Sequence, residues 1–230
     1  VSLGILIQVR LGSTRLVGKA LLPLPGGTVI QHVMRAMAEV PADVHALVTE
    51  ERSAEALAPL AREEGFESFV GPEDDVLARY CLAAREYGVD EVIRATGDNP
   101  LTSPVLARDI LRLHRESASD LSHFLGIPWG SGVEVVQARS LFAAEVEAVD
   151  PAEREHVTMF LYRHPGRFRI LQPQAPAGAD LPDVRVTVDT PADYERVRRI
   201  FEELYRGQPI EIRDLAAWLK AGEARRGEGE

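Results

Sequence analysis

The chain has 230 residues, 45% hydrophobic and 27% charged, the balance of an ordinary globular protein. Its formal net charge of -10 argues against general binding to nucleic acid or to a membrane surface, and no apolar run approaches a bilayer span. The single cysteine, Cys81, excludes an internal disulfide.

In chain order, LGILIQV over 3–9 reads as a buried strand, too short for the apolar region of a signal peptide and without a basic start. A cytoplasmic location is the expectation. After a glycine-containing loop, the pattern predicts a helix over 28–40, a strand over 44–49, and a helix over 53–65 starting at a Ser cap. A short strand follows over 66–70, then a helix over 71–88 with Cys81 in its core, a strand over 90–96, and a helix over 103–117 with Ser103 as cap and Pro104 first. This β-α alternation argues for a sheet covered by helices on both faces, with ligands beyond the carboxyl ends of the strands.

The second half is less regular. Strands are expected at DLSHF (120–124), VEVVQ (133–137), FRILQP (168–173) and VRVTVD (184–189). Helices are expected over 140–149, 151–165, 190–206 and 212–222, with a Pro-rich loop over 172–183. One domain is expected over 1–222, with 223–230 as a frayed tail.

The loop after the first strand, RLGSTRLVGK, holds Arg10, Gly12, Ser13, Arg15, Gly18 and Lys19. It is not a P-loop: five residues separate Gly12 from Gly18, and Ala20 stands where the Mg²⁺-binding hydroxyl would be. No GxGxxG follows the strand either. The chemistry of an anion site remains, because cations neutralise an anion and glycines let backbone N–H groups approach it. A solvated polar turn is the plainer alternative. Lysine is rare here, only Lys19 and Lys220, so its presence in this loop stands out.

Two strand ends carry acids. Asp98, in RATGDNPL, suits a divalent metal at the end of a buried strand, or a turn cap before Ser103. Asp189 ends VRVTVD; Thr190 and Pro191 already explain the next helix start, and Asp193 suits its first turn, which leaves Asp189 free for a function. Asp75 and Arg79 lie four apart in one predicted helix, where an ion pair is the simple reading; they are also carried as nucleotide-binding candidates. Glu134 and His156 are candidate sugar contacts, with a solvated acid and a packed or surface histidine as the alternatives; Arg154 and Glu155, beside His156, share that candidacy. Trp129 could stack on a ligand or stand as an exposed turn aromatic. The other histidines show no zinc-ligand spacing.

The stretch QVRLGSTRLVGKALLPL resembles the opening motif of the spore coat polysaccharide biosynthesis protein F family, cytidylyltransferase-like proteins related to those that activate 3-deoxy-manno-octulosonate and acylneuraminate. GPEDDVLARYCLAAREYGVDEVIRATGDNPL, GVEVV, EREHVTMFLY and RVTVDTPADYERVRRIFE resemble its later segments, so the resemblance runs from Ile5 to Phe201. One departure is Val17, where the family usually has a loop-stiffening proline.

The resemblance implies an α/β fold: a three-layer α/β/α sandwich of the nucleotide-diphospho-sugar transferase type, Rossmann-like, with a mostly parallel mixed sheet. It implies that Arg10, Gly12, Ser13, Arg15 and Lys19 hold the triphosphate of CTP, and that Asp98 and Asp189 bind Mg²⁺. Lys19, Arg15 and Asp98 are then the catalytic candidates for transfer of CMP to a sugar, of which a sugar acid is the favoured class, with pyrophosphate released. The setting implied is surface polysaccharide or glycan biosynthesis, by a possible homodimer with EREHVTMFLYRH as an interface helix. Two alternatives share the fold. A glycosyltransferase using a nucleotide sugar has no need of a lysine for pyrophosphate, and a non-catalytic accessory protein has no need of both acids.

Overall fold

The computed structural model describes residues 1–227, with side chains described to residue 222. The first strand, β1 (Leu3–Gln8), is buried on both faces until Gln8, as expected of a central parallel strand. The loop that follows closes with a 3-10 turn over Lys19–Leu21, entered through Gly18 in the left-handed region at φ 64. A hairpin of β2 (Pro23–Leu24) and β3 (Gly27–Thr28), not legible in the sequence pattern, leads into α1 (Val29–Ala38). Thr28 and Gln31 form a reciprocal capping box there, which fixes the helix start.

Next come β4 (Val44–Thr49), α2 (Glu51–Glu63), β5 (Glu67–Val70), α3 (Val76–Glu86), β6 (Glu91–Thr96) and α4 (Pro104–Ser117). The expected Ser cap of α2 is corrected: Glu50 is the cap, accepting from the N–H groups of Arg52 and Ser53. The helix predicted from 71 begins five residues later, because Asp75 caps it through the Ala78 N–H. Ser103 and Pro104 start α4 as expected.

Then follow β7 (Leu121–Ser122), β8 (Glu134–Gln137), α5 (Ala138–Glu147), α6 (Pro151–Glu155), α7 (Met159–Arg163), β9 (Ile170–Leu171), α8 (Pro191–Leu204) and α9 (Ile212–Gly227). Two expectations fail here. The helix read over 151–165 breaks at His156, and the turn carries Val157, Phe160 and Leu161 into the core, so these side chains serve packing within the chain rather than an external face. The strand read over 184–189 pairs, among the described residues, only through an isolated parallel bridge of Arg185 with Trp129: the Val186 N–H goes to Trp129 O at 2.8 Å, and the Val188 N–H goes to Asp98 O at 2.9 Å. Of the tail expected to fray, 223–227 continues α9, and 228–230 lies outside the described residues.

Among the described residues the main sheet runs β5-β4-β1-β6-β8-β7-β9. The strands from β5 to β6 are parallel, and β8 is antiparallel to both neighbours. Helices α1, α2, α4, α8 and α9 cover one face over Ile5, Ile7 and Ile93; α3, α5 and α7 cover the other over Leu6 and Val92. Cys81 is fully buried on that second face, where burial pushes its thiol up to about 12. Among the described residues no helix is long and apolar enough to cross a membrane.

Candidate active site

A cavity of about 460 Å³ opens where the carboxyl ends of β1 and β6 meet the loop 10–19. Its walls include Arg10, Gly12, Ser13, Arg15 and Lys19 from that loop, Gly97 and Asp98 after β6, Asp189 before α8, and His156 after α6.

The loop is tied at both ends. The Leu11 N–H donates to Ser53 Oγ at 2.9 Å, and the Ser53 hydroxyl is itself held by the buried Glu50 carboxylate. Farther along, the Gly18 N–H reaches back to Leu11 O at 3.3 Å, and Ser13 Oγ accepts from the Leu16 N–H. Gly18 has a conformational reason to be glycine; a Cβ at Gly12 would meet open space. Val17, the departure from the family pattern, is exposed on the loop.

Gly97 lets the other wall close in, since a Cβ there would stand 2.7 Å from Val9 Cβ. Asp98 follows, and its carbonyl accepts the Val188 N–H, which draws the segment before α8 alongside. Lys19 Nζ therefore lies 2.6 Å from Asp98 Oδ2 and 2.9 Å from Asp189 Oδ1. Arg15 adds a contact to Asp189 Oδ1 at 3.3 Å, and the Thr187 hydroxyl donates to Oδ2 at 2.8 Å. Burial works against the Asp189 charge, but the Lys19 and Thr187 hydrogen bonds and the charges of Lys19 and Arg15 outweigh it and hold this carboxyl below its ordinary range.

The pair Asp98 and Asp189 has the chemistry of a hard-cation site: two carboxylates close enough to share one ammonium, both open to the cavity. Among the described residues no cluster of three metal-ligating side chains exists. A Mg²⁺ ion held by two carboxylates and completed by substrate phosphates fits that donor set.

Other candidates are placed differently. Arg79 lines the cavity but does not pair with Asp75; it donates to Pro72 O and Glu73 O and stiffens the turn before α3. Asp75 is engaged by Arg154, whose guanidinium also reaches Glu145 O at 2.6 Å, so this ion pair clips α6 to α3. Glu155 stands 3.7 Å from Arg10 across the cavity mouth, both half exposed. Glu134 is not a solvated strand acid: Arg94, Tyr162 and Thr158 occupy both of its oxygens. Burial opposes its charge, yet Arg94 and the two hydroxyls keep the carboxyl below its usual range. Trp129 lies outside the cavity, exposed, with the Arg185 guanidinium 5.8 Å from its ring centre. The sequence reading did not single out Gln8, Val9, Thr14, Ala20, Val76 and Thr96 as wall residues, although all lie within the segments that carry the family resemblance; neither their polarity nor their spacing sets them apart there.

A sequence model described as cytidylyltransferase matches residues 4–215. The chain belongs to the cytidylyltransferase family. It is 32% identical to the spore coat polysaccharide biosynthesis protein SpsF of Bacillus subtilis, over 93% of this chain and 92% of that protein. It is 28% identical to a 3-deoxy-manno-octulosonate cytidylyltransferase of Mesorhizobium japonicum, over 85% of this chain and 97% of that one. A solved cytidylyltransferase of Leptospira borgpetersenii superposes with a TM-score of 0.88 at 25% identity, covering 97% of this chain and 95% of that chain. This cytidylyltransferase is thus a nucleotidyltransferase with the nucleotide-diphospho-sugar transferase fold that the resemblance implied.

Proposed function

We propose that this cytidylyltransferase transfers CMP from CTP to a hydroxyl of a sugar acid, releasing pyrophosphate, in the synthesis of a surface polysaccharide. The observation that carries the reading is Lys19 between Asp98 and Asp189 in a cavity walled by the cationic loop. The Mesorhizobium relative, named for a sugar acid, supports that acceptor class, and the Bacillus relative supports the polysaccharide setting.

In this reaction the acceptor oxygen forms a bond to the α-phosphorus, and the bond from that phosphorus to the bridging oxygen breaks. The electron pair leaves with pyrophosphate, and the hydroxyl proton is lost to water or a nearby base. Arg15 and Lys19 neutralise the phosphates and the charge that builds on the departing group, while loop N–H groups orient them. Arg10 and Ser13 stand on the same wall for the outer phosphates. Mg²⁺ bound by Asp98 and Asp189 would draw charge from the phosphate oxygens and acidify the attacking hydroxyl. His156, exposed and lining the same cavity, would meet the acceptor in this reading.

The test is a melting-temperature screen of CTP, UTP, ATP and GTP with Mg²⁺, followed by pyrophosphate release with 3-deoxy-manno-octulosonate as acceptor. CTP alone should raise the melting temperature, by mass action on the folded state. A rise with none of the four, or with another nucleotide alone, sinks the cytidylyl reading.

A further inference from the structure

The last residue of β1, Gln8, is held in one orientation by a mostly buried ion pair that loop chemistry does not explain. In register it stands beside Thr96 of β6, so Arg94 lies one pleat back on the same sheet face. Arg94 Nε and Nη2 both donate to Gln8 Oε1, at 3.2 Å and 2.9 Å, while Nη1 donates to Glu134 Oε2 at 2.8 Å. Glu134 Oε1 then accepts from the Tyr162 hydroxyl at 2.7 Å, and the Thr158 hydroxyl spans both oxygens. The side chains of Arg94 and Glu134 are only 17% and 18% exposed, so neither group can turn to bulk water without leaving its partner buried.

This network decides which way the Gln8 amide points. Flipping it would set its NH₂ group against two guanidinium N–H donors, so the oxygen faces Arg94 and the nitrogen faces away. Gln8 lines the cavity, and among the described residues no acceptor takes a bond from Nε2. Val76, 6% exposed, packs with Leu6 on the sheet face that Gln8 shares and gives the cavity an apolar side chain there, while Val9 and Ala20 line it from the core of the opposite face. A triphosphate belongs on the cationic loop. On that reading the flat nucleoside, apolar on its faces and polar at its edge, falls beside Val76 and Gln8, away from the loop cations.

Building on the nucleotide-binding reading above, we infer that Gln8 Nε2 donates a hydrogen bond to a carbonyl oxygen of the pyrimidine ring, and that Arg94, held by Glu134, is the residue that positions it. The role would make Gln8 a specificity contact rather than a strand terminus.

Calorimetric titration of wild type, Gln8→Met and Gln8→Glu with CMP and, separately, with inorganic pyrophosphate tests this. Methionine keeps the length and loses the donor. Glutamate keeps both shape and the acceptor for Arg94, which guards against a folding defect. For Gln8→Met, CMP affinity should fall about tenfold, the loss of one hydrogen bond to a buried edge, with pyrophosphate affinity unchanged. In Gln8→Glu, CMP affinity should fall by more than pyrophosphate affinity does. CMP bound as tightly by both variants as by wild type overturns the inference, as does an equal loss for both ligands. If wild type prefers UMP to CMP, the cytidine reading falls, and the comparison is made with UMP, whose ring carries the same carbonyl.

Discussion

Lys19 and Asp189 meet across 170 positions of chain, with the ammonium 2.9 Å from Oδ1. The link is indirect in origin. The Val188 N–H binds the carbonyl of Asp98, so the turn after β6 and the approach to α8 are laced together before either carboxylate meets the lysine. Around this contact two cations, Lys19 and Arg15, face two acids, Asp98 and Asp189.

Replacing that ammonium separates its chemical role from its structural one. Lys19→Ala should lower pyrophosphate release with CTP by roughly 100-fold, about 3 kcal/mol of transition-state stabilisation. Asp98 is partly exposed, and the more buried Asp189 keeps Arg15 and the Thr187 hydroxyl, so the stability loss should stay near 1 kcal/mol. Rate and melting curves on the same preparation check this; equal rates for variant and wild type would remove Lys19 from the chemistry.

Asp75, a nucleotide candidate whose spacing suggested an ion pair with Arg79, caps α3 and pairs with Arg154 instead. Asp75→Asn keeps an oxygen for the Ala78 N–H but ends the ion pair with Arg154, whose side chains are 23% and 28% exposed. A loss of about 1 kcal/mol in urea unfolding is expected, with the KM for CTP near wild type. A KM raised tenfold at unchanged stability would return Asp75 to the nucleotide.

What the sequence made legible is what local physics controls. The alternation of β1, α1, β4, α2, β5, α3, β6 and α4 follows from hydrophobic period and cap residues, and the loop at 10–19 and the acids at 98 and 189 stand at strand ends, where ligands sit. The failures are tertiary. Residues 184–189 alternate like a strand but donate to loop carbonyls, and 151–165 keeps helical period across the break at His156. Ser53 supports Leu11 and Arg94 orients Gln8 through contacts 42 and 86 positions apart, which no short motif encodes.

Gly97 tests how tightly the catalytic wall must close. A Cβ there would come within 2.7 Å of Val9 Cβ and 2.9 Å of Ile30 Cδ1, and neither can retreat from the core. Gly97→Ala should cost about 1–3 kcal/mol by overpacking, and should displace Asp98 enough to lower kcat further than the KM for CTP changes. Wild-type kcat in a variant with a depressed melting temperature would show that the turn before Asp98 tolerates displacement.

His32 governs a different property, resistance to acid. The residue is 4% exposed, its ring packed 4.4 Å from Phe201 and 4.9 Å from Tyr205 between ring centres, and among the described residues Nε2 has no partner. Burial first, then the nearby Arg35 charge, push its pKa down to about 4. The unfolded chain, with an ordinary histidine near 6.5, binds the proton more readily than the fold does. Stability from this site is therefore fully present above that value and is lost as the pH falls toward 4, by roughly 3 kcal/mol in total. Buried His114, also lowered by desolvation, adds loss of the same sign, so the comparison must be between variants. His32→Phe keeps an aromatic ring against Phe201 and Tyr205 and removes the titration. Its melting temperature should fall less steeply than that of wild type between pH 6.5 and 4, and parallel curves over that range would show that His32 is not the acid-sensitive group.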